Sequence, residues 1–398
     1  MKASVRHVGL DVHAETIVIA IADGDAPAQL LKSVPFDQPR LLKELRKLGR
    51  LADLNVCYEA GPTGFGLQRF LRGQGVMCRV IAPSLVPRQP GVRVKTDRRD
   101  ACNLAHYLRS GNLTEVWVPD EHTEAMRDLE RARDDARLAE RRSRQQLLKF
   151  LLRNGRRFTE GKHNWTIKHW AWIARQRFEQ PAQQRVFDDY VQTAQQGHGR
   201  VERLTHQMAE LVDDWALAPL VRNLQAFHGI DLVTAIGVAA EVGNFVRFQR
   251  AEQFMAYVGL VPSEHSTGQS RRQGGITKTG NRHIRRLLVE AGWHYYHCSP
   301  AVSAALQKRR EGVPVEITTI ADKARLRLRT KASRMQRASK TPNKIAVALA
   351  RELAGFIWAA ARASLPPKAT SGSSDPQEGA ATYEMDLRSL RRRPLPAR

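Results

Sequence analysis

Acidic residues are scarce in this chain. Only 40 Asp and Glu stand against 64 Lys and Arg over 398 residues, which leaves a formal net charge of +24. Like charges repel in a compact state, so folding alone does not call for such an excess. A polyanion relieves it, and nucleic acid is the commonest one, although ribosome-associated and membrane-surface proteins are also basic. Cysteine is scarcer still. Cys57, Cys78, Cys102 and Cys298 make no CxxC pair, which argues against a zinc framework and fits small thiols in a reducing cytoplasm. Long hydrophobic runs are missing as well. The nearest, Ile345 to Ala363, carries Arg351, Glu352 and Arg362 and so reads as an amphipathic helix, not a membrane span. The opening MKASVRHVGLDVHAE has no apolar core of signal-peptide type. A cytoplasmic location and no membrane partner are expected.

What is present divides the chain into four parts, with boundaries expected at 1–120, 121–217, 218–363 and 364–398. In the first, VRHVGLDV and TIVIAIAD are β-branched apolar runs separated by a short polar turn, which predicts a hairpin. Leu30 to Val34 reads as a third strand, LNVCYEA and VMCRVIAP as two more, and Gln38 to Leu48 and Asp97 to Leu108 as helices. Three early strands followed by alternating helix and strand is the order of an α/β sheet of ribonuclease-H/RuvC-like type. The second part has little strand signal. Two long antiparallel helices, with an aromatic helix holding Trp165, Trp170 and Trp172 between them, would be either a plain spacer or a coiled-coil arm for dimerisation. The third part is mostly α-helical. FHGIDLVTAIGVAAEVGNF places Gly229 and Gly237 as in a helix-hairpin-helix, whose turn lets backbone N–H groups approach a phosphate. A tight turn with no ligand fits as well. The last part, rich in Ser, Pro, Gly and Arg, is expected to be disordered.

Two strands end in carboxylates: Asp11 on the first and Glu59 on LNVCYEA. A carboxylate at the edge of a buried strand is costly unless something compensates it, and a cation would. Asp97 and Asp100 follow in KTDRRDACNLAHYL, where their i, i+3 spacing puts both on one face of a helix start. Four hard oxygen ligands suit a pair of Mg²⁺ ions, which can activate an attacking oxygen and stabilise a leaving one. Taken singly, each has a plain reading: Asp97 as a helix cap, Asp11 in an Asx turn, Glu59 paired with an arginine.

The densest segment is GLVPSEHSTGQSRRQGGITKTGNRHIRRLLVEAGWHYY. It reads as a Gly/Ser/Thr-rich loop from Pro262 to Gly280, then a helix from about Asn281. Arg282, Arg285 and Arg286 share one helix face and, with Arg271, Arg272 and Lys278, are candidates for gripping phosphates. From Arg271 to Lys344 there are 18 Lys and Arg against 4 Asp and Glu, more than a solvated helix face needs. Ser266 and Thr267 lie just upstream. A hydroxyl there could attack phosphorus to give a protein–DNA ester, although Ser and Thr in such loops are ordinarily turn formers.

VGLDVH, CYEAGPTGFG, KTDRRDA and GLVPSEHSTGQSRRQGGITKTGNRHIRRLL together resemble the DEDD-type bacterial insertion-sequence transposases, a family of RNA-bridged serine recombinases. The similarity runs in order from about Val5 to Ala363. It implies a RuvC-like N-terminal domain, a coiled-coil connection and a C-terminal transposase domain, with Asp11, Glu59, Asp97 and Asp100 as the DEDD set on Mg²⁺. It also implies DNA partners (element ends and target), a structured noncoding guide RNA, and a dimer or tetramer in which one subunit's carboxylates meet another's hydroxyl. The family's nucleophilic serine lies just before the glycine of the loop after Gly-Leu-x-Pro. Here that register holds Thr267 with Ser266 beside it, and the less hindered Ser266 is favoured. Three functions follow in order: a recombinase that cuts and rejoins DNA, a metal-dependent nuclease or junction resolvase, and a non-catalytic nucleic-acid-binding protein.

Overall fold

A computed structural model describes residues 5–87, 96–267 and 270–364. The expected tail beyond Ser364 lies outside the described residues. The chain divides into two units, one ending at Trp215 and the other beginning at Ala216.

In the first unit, β1 (Arg6–Val12) and β2 (Thr16–Ala22) form the expected antiparallel hairpin, with Leu10 opposite Ile19. β3 (Gln29–Pro35) adds antiparallel to β2. α1 (Gln38–Lys47) starts where the Asp37 carboxylate accepts the Arg40 N–H at 2.7 Å, the ordinary way to satisfy an unpaired helix donor. β4 (Leu54–Glu59) then runs parallel to β1, α2 (Gly66–Gly73) crosses back, and β5 (Met77–Ile81) lies parallel to β4. The sheet order is β3-β2-β1-β4-β5.

Strand side chains alternate between faces, and the two faces are built differently. Val8, Leu10, Val56 and Tyr58 pack with Leu41 and Leu45 of α1 and Leu67 and Leu71 of α2. The opposite face carries α3 (Asp97–Arg109), whose Ala101 and Ala105 meet Val18, Ala20 and Ala22, and whose Leu104 and Leu108 meet Cys57 and Ile81. Small residues let α3 lie close. At Gly9 of β1 the approach leaves no room for a side chain, because a Cβ would stand 2.5 Å from the Ala105 nitrogen and closer still to the Ala101 oxygen.

A helical arm completes this unit: α4 (Glu121–Arg153), α5 (Ile167–Ala174) and α6 (Pro181–Leu211). Arg133 Nε donates to Thr205 Oγ1 at 2.9 Å, His198 meets Glu140 at 3.0 Å and Gln183 donates to Asn154 at 3.1 Å. Numbers rise along α4 as they fall along α6, so the pair is antiparallel. Trp170 and Trp172 lie in α5, but Trp165 precedes it with φ 67°, so the aromatic helix is shorter than its sequence suggests.

The second unit is helical around one hairpin. α7 (Ala218–Leu224), α8 (Leu232–Val242) and α9 (Ala251–Tyr257) lead into β6 (Pro262–Thr267) and β7 (Ser270–Ile276), then α10 (Arg282–His294), α11 (Ala304–Arg310), α12 (Val315–Arg337) and α13 (Pro342–Ala363). Ile345, Leu349, Leu353 and Ile357 of α13 are fully buried, and α13 packs against α7, α9, α10 and α12. The turn at Gly229 has φ 78° and lies tight against α10. A Cβ there would lie 2.8 Å from the Ala291 oxygen of α10, so the turn is a packing device, and Gly237 sits buried inside α8.

Candidate functional site

Asp11 is on the α3 face of β1, and Glu59 has the same parity on β4, one step beyond the last paired positions Leu10 and Tyr58. Two parallel neighbours therefore end in carboxylates on the same side. α3 begins over that side. Its cap is Thr96, whose hydroxyl accepts from the Arg99 N–H, so Asp97 is not consumed as the N-cap and Asp97 and Asp100 occupy the first turn. Gly9, two residues before Asp11, permits the contact that holds α3 there.

The electrostatics match this crowding. The Asp11 side chain is 18% exposed. Its carboxyl is pushed above the usual range by burial, with Asp100 and Asp97 adding to the rise and His13 opposing it. His13 Nε2 lies 3.1 Å from Asp11 Oδ2 and 3.6 Å from Asp97 Oδ1. Asp11, His13 and Asp97 offer donor atoms all within 4.8 Å of one another, a spacing a single cation can bridge. The sequence reading missed His13. The i, i+2 spacing from Asp11 past a strand end was its only signal.

The segment expected to be a loop from Pro262 to Gly280 is instead largely the β6–β7 hairpin, with Ser266 opposite Arg271 and Thr267 opposite Ser270. Serine, threonine and arginine hide this strand because neither face is buried. Ser266 Oγ donates to Glu264 Oε1 at 2.8 Å, as i, i+2 neighbours on one strand face must. Thr267 has the opposite parity. Glu264 was the second residue missed. Its signal was the same two-residue spacing.

The hairpin base is fixed by its own loops. Gly259 (φ 67°) and Gly280 (φ 70°) are both left-handed, and a Cβ on either would strike the other's turn, at Thr279 and Tyr257 respectively. Arg285 laces them, donating to the Val258 and Thr279 oxygens at 2.9 Å each. Asn281 caps α10 by accepting from the Ile284 N–H at 3.0 Å, and its Nδ2 donates to Glu241 Oε2 at 2.7 Å. The candidate phosphate-binding cations therefore differ in situation. Arg282 and Arg272 are exposed, Lys278 sits at φ 57° in the loop, Arg286 pairs with Glu290 at 3.1 Å, and Arg285 is turned inward. Arg271 is placed here by its strand register alone.

Among the described residues no helix is long and apolar enough to cross a membrane. Residues 221–307 match the family described as "Transposase IS116/IS110/IS902 family", and residues 8–154 match the DEDD transposase family of IS110 elements. The chain is 41% identical over 358 residues to the "Putative transposase y4qE" of Sinorhizobium fredii, covering 89% of this chain and 88% of that one. It is 33% identical over 343 residues to the transposase for insertion sequence element IS1533 of Leptospira borgpetersenii, covering 84% of this chain and 98% of that one. With both family regions matched in order and relatives aligned nearly end to end, the chain belongs to the IS116/IS110/IS902 family of transposases and is a DNA transposase.

Proposed function

We propose that this transposase moves its insertion sequence by cutting and rejoining DNA through a covalent protein–DNA ester formed at the β6–β7 hairpin. The observation that carries this reading is Ser266, an exposed hydroxyl hydrogen-bonded to the Glu264 carboxylate on a hairpin that leads, through a five-residue loop, into α10 with exposed Arg282 at its start. In cleavage, Ser266 Oγ bonds to phosphorus, the phosphorus–oxygen bond to one deoxyribose breaks, and that deoxyribose leaves as a hydroxyl. A second deoxyribose hydroxyl attacks the ester in rejoining and returns the serine, so bond energy is conserved and no ATP is required. Thr267 is the alternative attacker. Lys278 and Arg282 meet the DNA backbone in this reading, with Arg271 and Arg272 as further candidates from their place in the sequence motif.

Asp11, Glu59, Asp97 and Asp100 would hold divalent metal, with Mg²⁺ the natural choice for hard oxygen donors. The desolvated Asp11 carboxyl, with the charges of Asp100 and Asp97 beside it, is a donor that such an ion relieves. When bound it supplies electrostatic stabilisation of a phosphate. The β3-β2-β1-β4-β5 order, with acidic residues at the ends of β1 and β4, supports a ribonuclease-H/RuvC-like assignment for residues 1–120. A guide RNA, and an oligomer in which one subunit's carboxylates serve another's hydroxyl, rest on the family resemblance.

The test is a trapping assay with the protein, its element's RNA and labelled end DNA in Mg²⁺, run on a denaturing gel. A covalent band in wild type, lost in Ser266→Ala and kept in Thr267→Ala, is expected. Loss in Thr267→Ala alone moves the nucleophile by one residue. Cleavage without any covalent band sinks the ester mechanism and leaves a metal-dependent nuclease.

A further inference from the structure

His13 stands among the acidic residues of the first unit without being one of them. It follows β1 directly, two residues beyond Asp11, and a two-residue step along an extended chain returns a side chain to the same face. The backbone that carries it is fixed. The His13 N–H donates to the Thr16 oxygen at 2.8 Å and closes the β1–β2 turn. The Phe36 N–H, just past β3, donates to the Glu15 oxygen at 2.8 Å and ties the same turn to the sheet. Asp97 arrives from another element, the first turn of α3.

One ring nitrogen is shared between the two carboxylates. His13 Nε2 lies 3.1 Å from Asp11 Oδ2 and 3.6 Å from Asp97 Oδ1, and one donor atom from each of the three residues falls within 4.8 Å of the others. A plain ion pair is complete with one carboxylate. Here separate elements deliver two to the same nitrogen, which is how three ligands gather around one point. The Asp11 side chain is 18% exposed, but those of His13 and Asp97 are 48% and 61% exposed, so an ion can enter with water and keep part of its shell.

Ligand type then separates the candidate ions. Mg²⁺ takes oxygen donors and sheds water reluctantly. Imidazole is the commonest protein ligand of transition metals, while carboxylate and water suit Mn²⁺ as they suit Mg²⁺. No cysteine joins the group, so nothing in it favours a softer ion. Two carboxylates with one imidazole are a set that Mn²⁺ accepts in full and Mg²⁺ only in part. We propose that His13 is a metal ligand alongside Asp11 and Asp97, and that its nitrogen tunes this position toward Mn²⁺ and away from Mg²⁺. This rests on the reading of the acidic residues as a metal site and adds to it a ligand and an ion preference. Glu59 and Asp100 can bring oxygen only, so the four carboxylates by themselves provide no nitrogen donor.

The experiment uses the full-length protein with substoichiometric Mn²⁺ and no nucleic acid. Pulsed electron paramagnetic resonance of the bound ion reads nitrogen hyperfine coupling from a bonded imidazole. The signal of free Mn²⁺ gives the Mn²⁺ affinity, and the rise of the thermal midpoint with added Mg²⁺ gives the Mg²⁺ response. Wild type is expected to show the coupling. His13→Ala is expected to lose it together with at least about tenfold in Mn²⁺ affinity, the lower end of what losing even an outer-shell partner costs. Its Mg²⁺ response should change little. His13→Gln keeps a polar side chain on the turn and is expected to lose the coupling too, so the result does not hang on the folding of one variant. No coupling in wild type, coupling that survives both substitutions, or equal losses for Mn²⁺ and Mg²⁺ overturns the proposal. Asp11→Asn separates it from the reading beneath it. Mn²⁺ binding lost in Asp11→Asn but unchanged in His13→Ala overturns the role of His13 alone, whereas equal Mn²⁺ binding by Asp11→Asn and wild type overturns both.

Discussion

Gly9 and Ala105 touch backbone to backbone: a Cβ on Gly9 would lie 2.5 Å from the Ala105 nitrogen. This contact brings the first turn of α3, with Asp97 and Asp100, over Asp11. Gly9→Ala is therefore expected to force α3 outward. Overpacking of this kind costs about 1–3 kcal/mol, read as a lower thermal midpoint. Strand cleavage is expected to fall further than stability explains, because the displaced residues are the acidic ones. A variant with wild-type cleavage would show that α3 need not lie so close.

Asp11 is expected to show the opposite balance. Burial and the neighbouring Asp100 and Asp97 disfavour its charged form. Asp11→Asn should therefore raise the melting temperature in chelator while abolishing cleavage. Added Mg²⁺ should raise the midpoint of wild type, since a ligand bound only by the folded state stabilises it, and leave the variant unmoved. Equal Mg²⁺ stabilisation of both proteins would remove Asp11 from the metal set.

Two arginines one turn apart on α10 are expected to part company. Arg285→Ala removes donors from the Val258 and Thr279 oxygens and should cost about 1–3 kcal/mol of stability. Exposed Arg282→Ala should change stability by less than about 0.5 kcal/mol. It should weaken DNA binding and lower the salt slope by about one. Chemical denaturation and anisotropy titrations separate the two. Reversed effects would mean that the inward arginine is the one that meets DNA.

The α12–α13 contact predicts an acid limit on stability. Burial pushes the Glu352 carboxyl up, but Lys331 at 2.7 Å and Arg327 at 3.1 Å outweigh it and hold it below its ordinary 4.5. A folded value below the unfolded one means the contribution is full above pH 4.5 and is lost as pH falls through the lower, folded value. Glu352→Gln should lose stability at neutral pH, because Lys331 is left without its anion, and should show a flatter profile in acid. A parallel profile would assign the acid sensitivity elsewhere.

β1, β2, β4 and β5 were legible because each buries one or both faces: Val8, Leu10, Ile17 and Ile19 keep a period of two, whereas β3 buries Val34 alone. Asp11 and Glu59 stood out as charges ending such runs. The β6–β7 hairpin was not legible for the converse reason. Its residues from Glu264 to Thr267 are exposed on both faces, so no hydrophobic period marks them, and pairing plus the anchors at its base hold it. His13 and Glu264 escaped notice because a partner two residues away is visible only once the backbone is known to be extended. Helical spacing grouped Arg282, Arg285 and Arg286 correctly on α10 but carried no sign of which one turns inward, since that depends on carbonyls of a different loop.

The interlocked turns at Gly259 and Gly280 give the hairpin a mechanical character. Neither turn can relax without colliding with the other, and Arg285 rivets both to α10, which Asn281 in turn pins to α8. The hairpin is thus a stiff lever on a braced fulcrum. A load applied near Ser266 would be transmitted as torque to α10 and α8 instead of being dissipated in a slack loop.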